Sequence, residues 1–314
     1  MNILVTSLSR KVPLVEALRE ALARSGEGGL VWGADSDPEC VGRHFTDRFW
    51  DMPPLSEPDT GERLVRFCRE EGIGLVVPTR DGELPFFARL RDELAEAGVH
   101  VPVGRPEAVE TCLDKLAFFD HCRGIGVPSA PTALTLDELD GESFVVKDRR
   151  GAASAGMAIG LGRQAALEHA AGILEPVFQP LLGGVEHSVD VYVNLEGTVV
   201  DAAPRTRIRV SGGESTVTET VEHPQLVAAS VRVAESLELR GHLVLQGFAR
   251  GAEVTLLECN PRAGGASTLG FAAGIESPDW AIAEAGGELV EPRLGAYRRG
   301  LRLVRYPVDR LIEP

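Results

Sequence analysis

Cysteine is scarce in this chain and never closely paired: Cys40, Cys68, Cys112, Cys122 and Cys259 are scattered through 314 residues, with no Cys-x-x-Cys spacing. That arrangement suits neither a disulfide framework nor a zinc site, and reads as buried thiols in a reducing compartment. No apolar run approaches the roughly 20 residues that span a bilayer. The opening Met1-Asn-Ile-Leu-Val5 also lacks the basic start and apolar core of a secretory signal. A cytoplasmic protein with no membrane partner is expected. Basic residues are outnumbered, 32 Lys and Arg against 47 Asp and Glu, for a net charge of -15. A nucleic-acid backbone is therefore not an expected partner. The Gly-x-x-x-x-Gly-Lys-Ser/Thr pattern of a P-loop is missing. So are internal repeats, low-complexity tails and any evident Ser-His-Asp or Cys-His arrangement.

What is present is a turn-rich profile, 44% hydrophobic and 25% charged with 35 Gly and 20 Pro, long enough to bury two or three modest cores. Strands are predicted over 2–8, 29–35 and 73–77. Between the first two runs a helix with Leu14, Leu18, Ala21 and Leu22 on one face, and a second helix is predicted over 81–97, before a short strand at Val99–Val103. Strands alternating with helices imply a parallel sheet covered on both faces, so residues 1–105 should form a Rossmann-like domain. From Pro106 a helix carrying Asp114, Lys115 and Phe118-Phe119 runs to Gly124-Ile-Gly-Val-Pro128, which stops it. Strands then dominate: Ser143–Asp148, Met157–Leu161, Val177–Leu182, Glu186–Asn194, Thr198–Ala203, Thr206–Val210, Leu243–Ala249 and Glu253–Asn260. Helices interrupt them near 163–173, 224–239 and 266–285. The fold class is α/β, becoming α+β in the second half.

The most informative run is Glu258-Cys-Asn260-Pro-Arg262, which closes a strand and enters Ala263-Gly264-Gly265-Ala266. Alternation along a strand puts Glu258 and Asn260 on one face. A turn at Arg250-Gly251-Ala252 sets Gln246 about opposite Leu256, an even offset that brings Gln246 to the face of Glu258. Two amide oxygens beside a carboxylate are hard donors of the kind magnesium takes, and Arg262 offers a fork for phosphate. Lys147 ends the apolar strand Phe144-Val-Val-Lys147, and the small-residue loop from Gly151 to Gly156 lets backbone N–H groups approach phosphate. Lys115 opens the same segment. Val177-Phe-Gln-Pro-Leu-Leu182 supplies free backbone groups for an adenine edge, with Glu186 placed to accept from ribose hydroxyls. Arg205, Arg207 and Arg209 alternate onto one strand face as a basic stripe, suited to a substrate carboxylate. His187 is expected to be structural; His223 and His242 carry no assignment.

Taken in this order, these elements resemble the ATP-grasp superfamily. The chain looks most like its carbamoyl-phosphate-synthase-like branch, which includes the pyrrolysine-biosynthetic ligase and many small amino-acid ligases. The resemblance implies a Rossmann-like pre-ATP-grasp domain at 1–105, a small lid-bearing grasp subdomain at 106–182 and a C-terminal subdomain with the metal site at 183–314. It implies ATP bound by Lys115, Lys147, Gly151, Ser154 and Gly156, with Gln179, Pro180, Leu181 and Leu182 as adenine hinge and Glu186 on the ribose. It also implies magnesium, with manganese able to stand in, on Gln246, Glu258 and Asn260. Arg262 and Lys147 would be catalytic at the phosphoryl in flight. The segment Arg205 to Glu214 resembles the family's basic strand before a Gly-Glu pair, so Arg205, Arg207, Gly264 and Gly265 would face the substrate. The implied reaction is carboxylate–amine ligation through an acyl phosphate, on amino acids or a short peptide, in small-molecule biosynthesis and in a possible homodimeric form. First-domain residues such as Asp81 and Glu83 would help to set specificity.

The chain departs from its relatives at Ala152-Ala-Ser154, where many carry more glycine. One grasp half is also too little for carbamoyl phosphate synthesis. Two other classes compete. A dinucleotide-binding oxidoreductase would use Asp35, but its first turn, Thr6-Ser-Leu-Ser-Arg-Lys11, contains no glycine for the pyrophosphate. A silent nucleotide-binding subunit would have no need of the intact metal and lysine set.

Overall fold

Short apolar runs buried on both sides build the first sheet. A computed structural model, which describes residues 1–151 and 156–312, contains β1 (Asn2–Val5), β2 (Val31–Asp35), β3 (Arg48–Asp51) and β4 (Ile73–Val77), in the order β3-β2-β1-β4. Every pairing is parallel, so α1 (Val12–Ser25), α2 (Thr60–Glu70) and α3 (Leu84–Glu96) connect the strands across its faces. Ile3 and Val5 enter one core with Val15 and Leu18; Leu4 and Val76 enter the other with Leu64 and Phe87. β3 and α2 go beyond the sequence reading, because β3 is a four-residue edge with exposed ends and α2 hides its buried stripe among charges. The helix expected over 81–97 begins as a single turn at Asp81–Glu83 before α3. The strand expected at Val99–Val103 makes one parallel bridge, Leu75 to His100.

Helix capping divides two other expected helices. The helix expected from Pro106 is α4 (Pro106–Leu113) followed by α5 (Lys115–Gly124). Asp114 turns out of the helix, and its carboxylate accepts from the Leu116 and Ala117 N–H groups.

A small antiparallel sheet follows, β6-β5-β7, made of β5 (Phe144–Asp148), β6 (Ala158–Leu161) and β7 (Pro176–Pro180), and backed by α6 (Arg163–Ala170).

The largest sheet is antiparallel throughout, in the order β12-β11-β8-β9-β10-β13. Its strands are β8 (Val185–Val193), β9 (Val199–Ser211), β10 (Glu214–Thr220), β11 (Gly241–Arg250), β12 (Glu253–Asn260) and β13 (Arg302–Val304), and α7 (Pro224–Ser236) precedes β11. The two strands expected at 198–203 and 206–210 are one. Pro204 sits inside β9 without breaking it, because its nitrogen and carbonyl point to the same side, where Val221 has already left β10. After β12 come α8 (Ser267–Ala273) and α9 (Ser277–Ala285), separated at Gly274, whose φ of +119° ends the first. α9 packs on α1 and places Ala281 and Ile282 in a core of the first sheet. No helix among the described residues is long and apolar enough to cross a membrane.

Candidate functional site

Alternation along β8 separates two chemistries. Val189, Val191 and Val193 enter the core shared with α4, α5 and α7, while Glu186, Ser188 and Asp190 take the opposite face. Register carries that polar face across the sheet. Ser188 stands opposite both Gln246 and Arg205, and Gln246 stands opposite Glu258. In the next row Asp190 faces Val244, and Val244 faces Asn260. The position of Gln246 corrects the expected pairing with Leu256. A bulge at Leu257 shifts the register, so Gly247 takes Leu256 and Gln246 meets Glu258 directly.

Over this face lies a chamber of about 710 Å³, a size typical of small-molecule sites. The small sheet and its exit strand contribute Lys147, Ile159, Gln179, Pro180, Leu181 and Leu182. The large sheet contributes Glu186, Arg205, Arg207, Gln246, Glu258 and Asn260, and the segment after β12 adds Arg262, Gly264 and Gly265. The first domain closes it with Ser7, Ser9, Lys11, Thr79, Arg80 and Asp81. Of the sequence-predicted ATP residues, Lys115, Gly151 and Gly156 are not among those that line the chamber. The Lys115 ammonium is buried and donates to the Gly151 carbonyl at 2.7 Å. Ser154 lies outside the described residues.

The polar contacts sort the remaining candidates. Burial pulls the Lys147 ammonium below its ordinary range; Glu258 opposes the shift, Lys115 adds to it and Glu186 opposes it. Gln179 turns its side chain into the core, where Nε2 donates to Thr132 Oγ1 at 2.8 Å, so only its backbone can serve a ligand. Glu186 lies 3.0 Å from Arg207, whose guanidinium also donates to the Gly213 carbonyl. Arg209 is exposed, so the expected basic stripe shrinks to Arg205 and Arg207. Arg205 is buried, with Nε donating to Asp190 at 2.6 Å, yet its Nη1 finds no partner among the described residues. Arg262 reaches across to the first domain, where Nη2 meets Asp81 at 2.6 Å.

Sequence reasoning missed Asp190, a fully buried carboxylate. It accepts from Arg205, from Ser267 Oγ at 2.6 Å and from His242 Nε2 at 3.1 Å. The Ser267 oxygen in turn accepts from the Gly264 N–H at 2.9 Å, so one carboxylate orients both Arg205 and the glycine segment. Burial works against its charge, but the Arg205 guanidinium and the His242 contact outweigh it and hold the acid well below the usual carboxylate range. The polar-apolar alternation Glu186-His-Ser188-Val-Asp190-Val was the available signal. Lys11 was also missed; nothing in a glycine-free turn marks it as part of a site.

The metal set passes a test of fit. Gln246, Glu258 and Asn260 share one face and one chamber, and Asn260 Nδ2 lies 3.5 Å from Glu258 Oε1. One carboxylate with two amide oxygens suits a small hard dication that completes its shell from phosphate. No cluster of three or more His, Cys, Asp or Glu capable of holding a metal occurs among the described residues.

Comparison with known families agrees with this geometry. Residues 3–102 match the model of the PylC-like N-terminal domain, and residues 175–306 match that of the ATP-grasp in the biosynthetic pathway with Ter operon. The chain is an ATP-grasp protein with a PylC-like N-terminal domain. No curated protein matches it. Among solved structures, it is similar to the biotin carboxylase domain of the Hydrogenobacter thermophilus 2-oxoglutarate carboxylase in complex with MgADP, ADP and bicarbonate. That likeness has a TM-score of 0.74 and 17% identity, covering 96% of this chain and 73% of the other. An L-amino acid ligase from Bacillus licheniformis gives 0.71 at 16% identity, over 92% and 75%. The N5-carboxyaminoimidazole ribonucleotide synthetase of Thermus thermophilus gives 0.70 at 19% identity, over 96% and 81%. At these identities the likeness shows the ATP-grasp fold.

Proposed function

We propose that the protein is an ATP-dependent carboxylate–amine ligase that forms an amide or peptide bond through an acyl phosphate, acting on amino acids or a small peptide and giving ADP and phosphate. The observation that carries this reading is the register of the large sheet. It aligns Gln246, Glu258 and Asn260 along one wall, with Lys147 on the facing sheet and Arg205 and Arg262 beyond. Adenine would lie on the strip Gln179–Leu182. Lys147 would hold phosphate oxygens, assisted by Lys115, Gly151 and Gly156; Ser154, outside the described residues, would keep the ATP role that its place in the sequence implies. Glu186 would accept from the ribose once it exchanges or shares Arg207. Magnesium, for which manganese can substitute, would supply charge neutralisation on Gln246, Glu258 and Asn260.

In the first step a substrate carboxylate oxygen bonds to the γ-phosphorus as the bond to the β-phosphate oxygen breaks. Lys147 and Arg262 balance the moving charge. Arg205, fixed by Asp190 and with Nη1 unpartnered among the described residues, would hold the acid, and Gly264 and Gly265 would let it approach the backbone. The units would be 1–105, 106–182 and 183–314, in a cytoplasmic protein that acts in small-molecule biosynthesis and assembles as a homodimer. The MgADP complex of the carboxylase domain and the activity named for the Bacillus ligase support this reading.

The test is a phosphate-release screen of amino acids, singly and in pairs, with mass spectrometry of the products, repeated with Glu258→Gln. Magnesium-dependent ADP and amide formation that Glu258→Gln abolishes is expected. Undiminished turnover in that variant, or no turnover with any pair, would refute the proposal.

A further inference from the structure

Lysine occurs only three times in the chain, at 11, 115 and 147, and arginine serves every other basic position. Two of the three come together at β5. Lys147 lies on that strand and lines the chamber. Burial lowers its pKa, and Lys115, at the start of α5, lies close enough to lower it further. Two ammonium groups brought together away from water repel until an anion joins them, so the fold has to hold Lys115 in place by other contacts. The Lys115 N–H donates to the Arg149 carbonyl at 3.1 Å, and its ammonium donates to the Gly151 carbonyl at 2.7 Å.

The charged part of that hold is Asp114, whose side chain is 3% exposed. Its two oxygens have different partners. Oδ1 accepts from the Leu116 and Ala117 N–H groups, which caps α5, and from Arg149 Nε at 2.8 Å. Among the described residues Oδ2 accepts from arginines alone: Arg149 Nη2 at 2.7 Å and Arg150 Nη2 at 3.1 Å. Burial works against this charge, but the Arg149 hydrogen bond, the Ala117 N–H and both guanidiniums outweigh it and hold the acid below its ordinary range. Arg150 Nη1 also donates to Glu110 of α4 at 3.0 Å. Arg149 and Arg150 follow Lys147 and Asp148 directly, where a phosphate-binding loop would place its cations. Both guanidiniums are instead committed to carboxylates, and neither residue is among those that line the chamber.

We propose that Asp114 is a positioning residue for the nucleotide phosphates: through Arg149 and Arg150 it ties the start of α5 to the end of β5, so that the Lys115 and Lys147 ammonium groups stand together as one polyphosphate clamp. The inference rests on the ligase reading, to which it adds the device that holds the two lysines together before a nucleotide arrives. A helix cap needs only one carboxylate oxygen. The second oxygen, buried against two guanidiniums, takes no part in capping. Without its charge α5 would keep its cap, but the two ammonium groups could move apart. A polyphosphate would then have to draw them together at the expense of its own affinity. Adenosine carries no phosphate and would not sense the change.

Asp114→Asn separates the two roles, because asparagine caps a helix as well as aspartate does, while its NH₂ group would face the two guanidiniums in place of Oδ2. The full chain is titrated calorimetrically with ADP and Mg²⁺, and adenosine is measured by competition with ADP. Asp114→Asn should weaken ADP by about tenfold or more and leave adenosine unchanged, a split that a defect of folding would not produce. In a Lys115→Met background, where ADP is already weakened, Asp114→Asn should add little, because its effect passes through that ammonium. Arg149→Gln opens the clasp from the other side and should reproduce the split, which keeps the test decisive if Asp114→Asn does not fold. Wild-type ADP affinity in either variant, equal losses of ADP and adenosine, or a full second loss in the double variant overturns the proposal. A chain that shows the split yet forms no amide with any pair fails the ligase reading alone. A working ligase whose Asp114→Asn variant binds ADP as the wild type does fails this inference alone, and a wild type that binds no ADP fails both.

Discussion

Asp190→Asn tests the buried framework on which the proposed acid site depends. Asp190 is fully buried, and Arg205 beside it is 2% exposed, so neither charge can be met by water. The substitution keeps the shape but removes the anion, and it presents an NH₂ group to Arg205, Ser267 or His242, all of which already donate. Leaving one partner of a buried ion pair uncompensated costs about 3–5 kcal/mol. Equilibrium urea unfolding should therefore show a loss of that order in the transition that reports the large sheet. Asp190→Leu combined with Arg205→Met should lose less than Asp190→Asn alone, since replacing both members by apolar groups is close to neutral. A loss below about 1 kcal/mol for Asp190→Asn, or a double variant that is simply additive, would refute the claim that this pair is closed to solvent and mutually dependent.

His100 gives a pH signature. Burial lowers its pKa from 6.5 to about 4; Glu284, 3.8 Å away, does not offset this, because burial raises its own pKa. The unfolded chain then binds a proton that the folded one refuses, so stability falls as pH drops from 6.5 to 4, by about 3 kcal/mol in all, and His100→Gln should flatten that slope in acid-range unfolding curves. Gly184 has a φ of +122°, and an added Cβ would lie 2.6 Å from the Ala249 carbonyl oxygen. Gly184→Ala should cost about 1–3 kcal/mol of stability and weaken ADP binding by isothermal titration; wild-type values for both would exclude strain at Gly184. Arg205→Lys should raise the KM of the acid by about tenfold or more with little change for ATP. Arg207→Ala, which frees Glu186, should disturb ATP at least as much as the acid; the reverse order would exchange their roles.

Much of this was legible from period and punctuation. Glu253–Asn260 is found as β12 because a mostly alternating run, a glycine turn and a proline stop all agree. Ile73–Val77 is found as β4 because a buried parallel strand is simply apolar. The failures have physical causes. The Leu257 bulge shows in the sequence only as the doublet Leu256-Leu257, which breaks the alternation without fixing which residue is extra, and it moved Gln246 onto Glu258. Helix boundaries at Asp114 and Gly274 depend on a capping side chain and a left-handed backbone, which periodicity alone cannot weigh against an apolar face. Charge patterning misled for Arg209, where a stripe on paper runs off the end of the covered sheet into solvent. Partner choice was invisible as well: that Arg207 would settle on Glu186, and Arg205 on Asp190, follows only from cross-strand register.

That register also explains why the first domain belongs to the site rather than beside it. Arg262, two residues past Asn260, is fixed by Asp81 from the segment after β4. α9 returns two apolar side chains to the core beneath β1. Three anions of the large sheet are already paired: Glu186 holds Arg207, Asp190 holds Arg205 and Glu214 holds Arg305. Those anions thus have cations of their own, and the carboxylate that pairs with Arg262 comes from across the seam, at Asp81. The position of that arginine therefore depends on how the two units are packed, and the same packing brings Lys11 to the far end of the chamber.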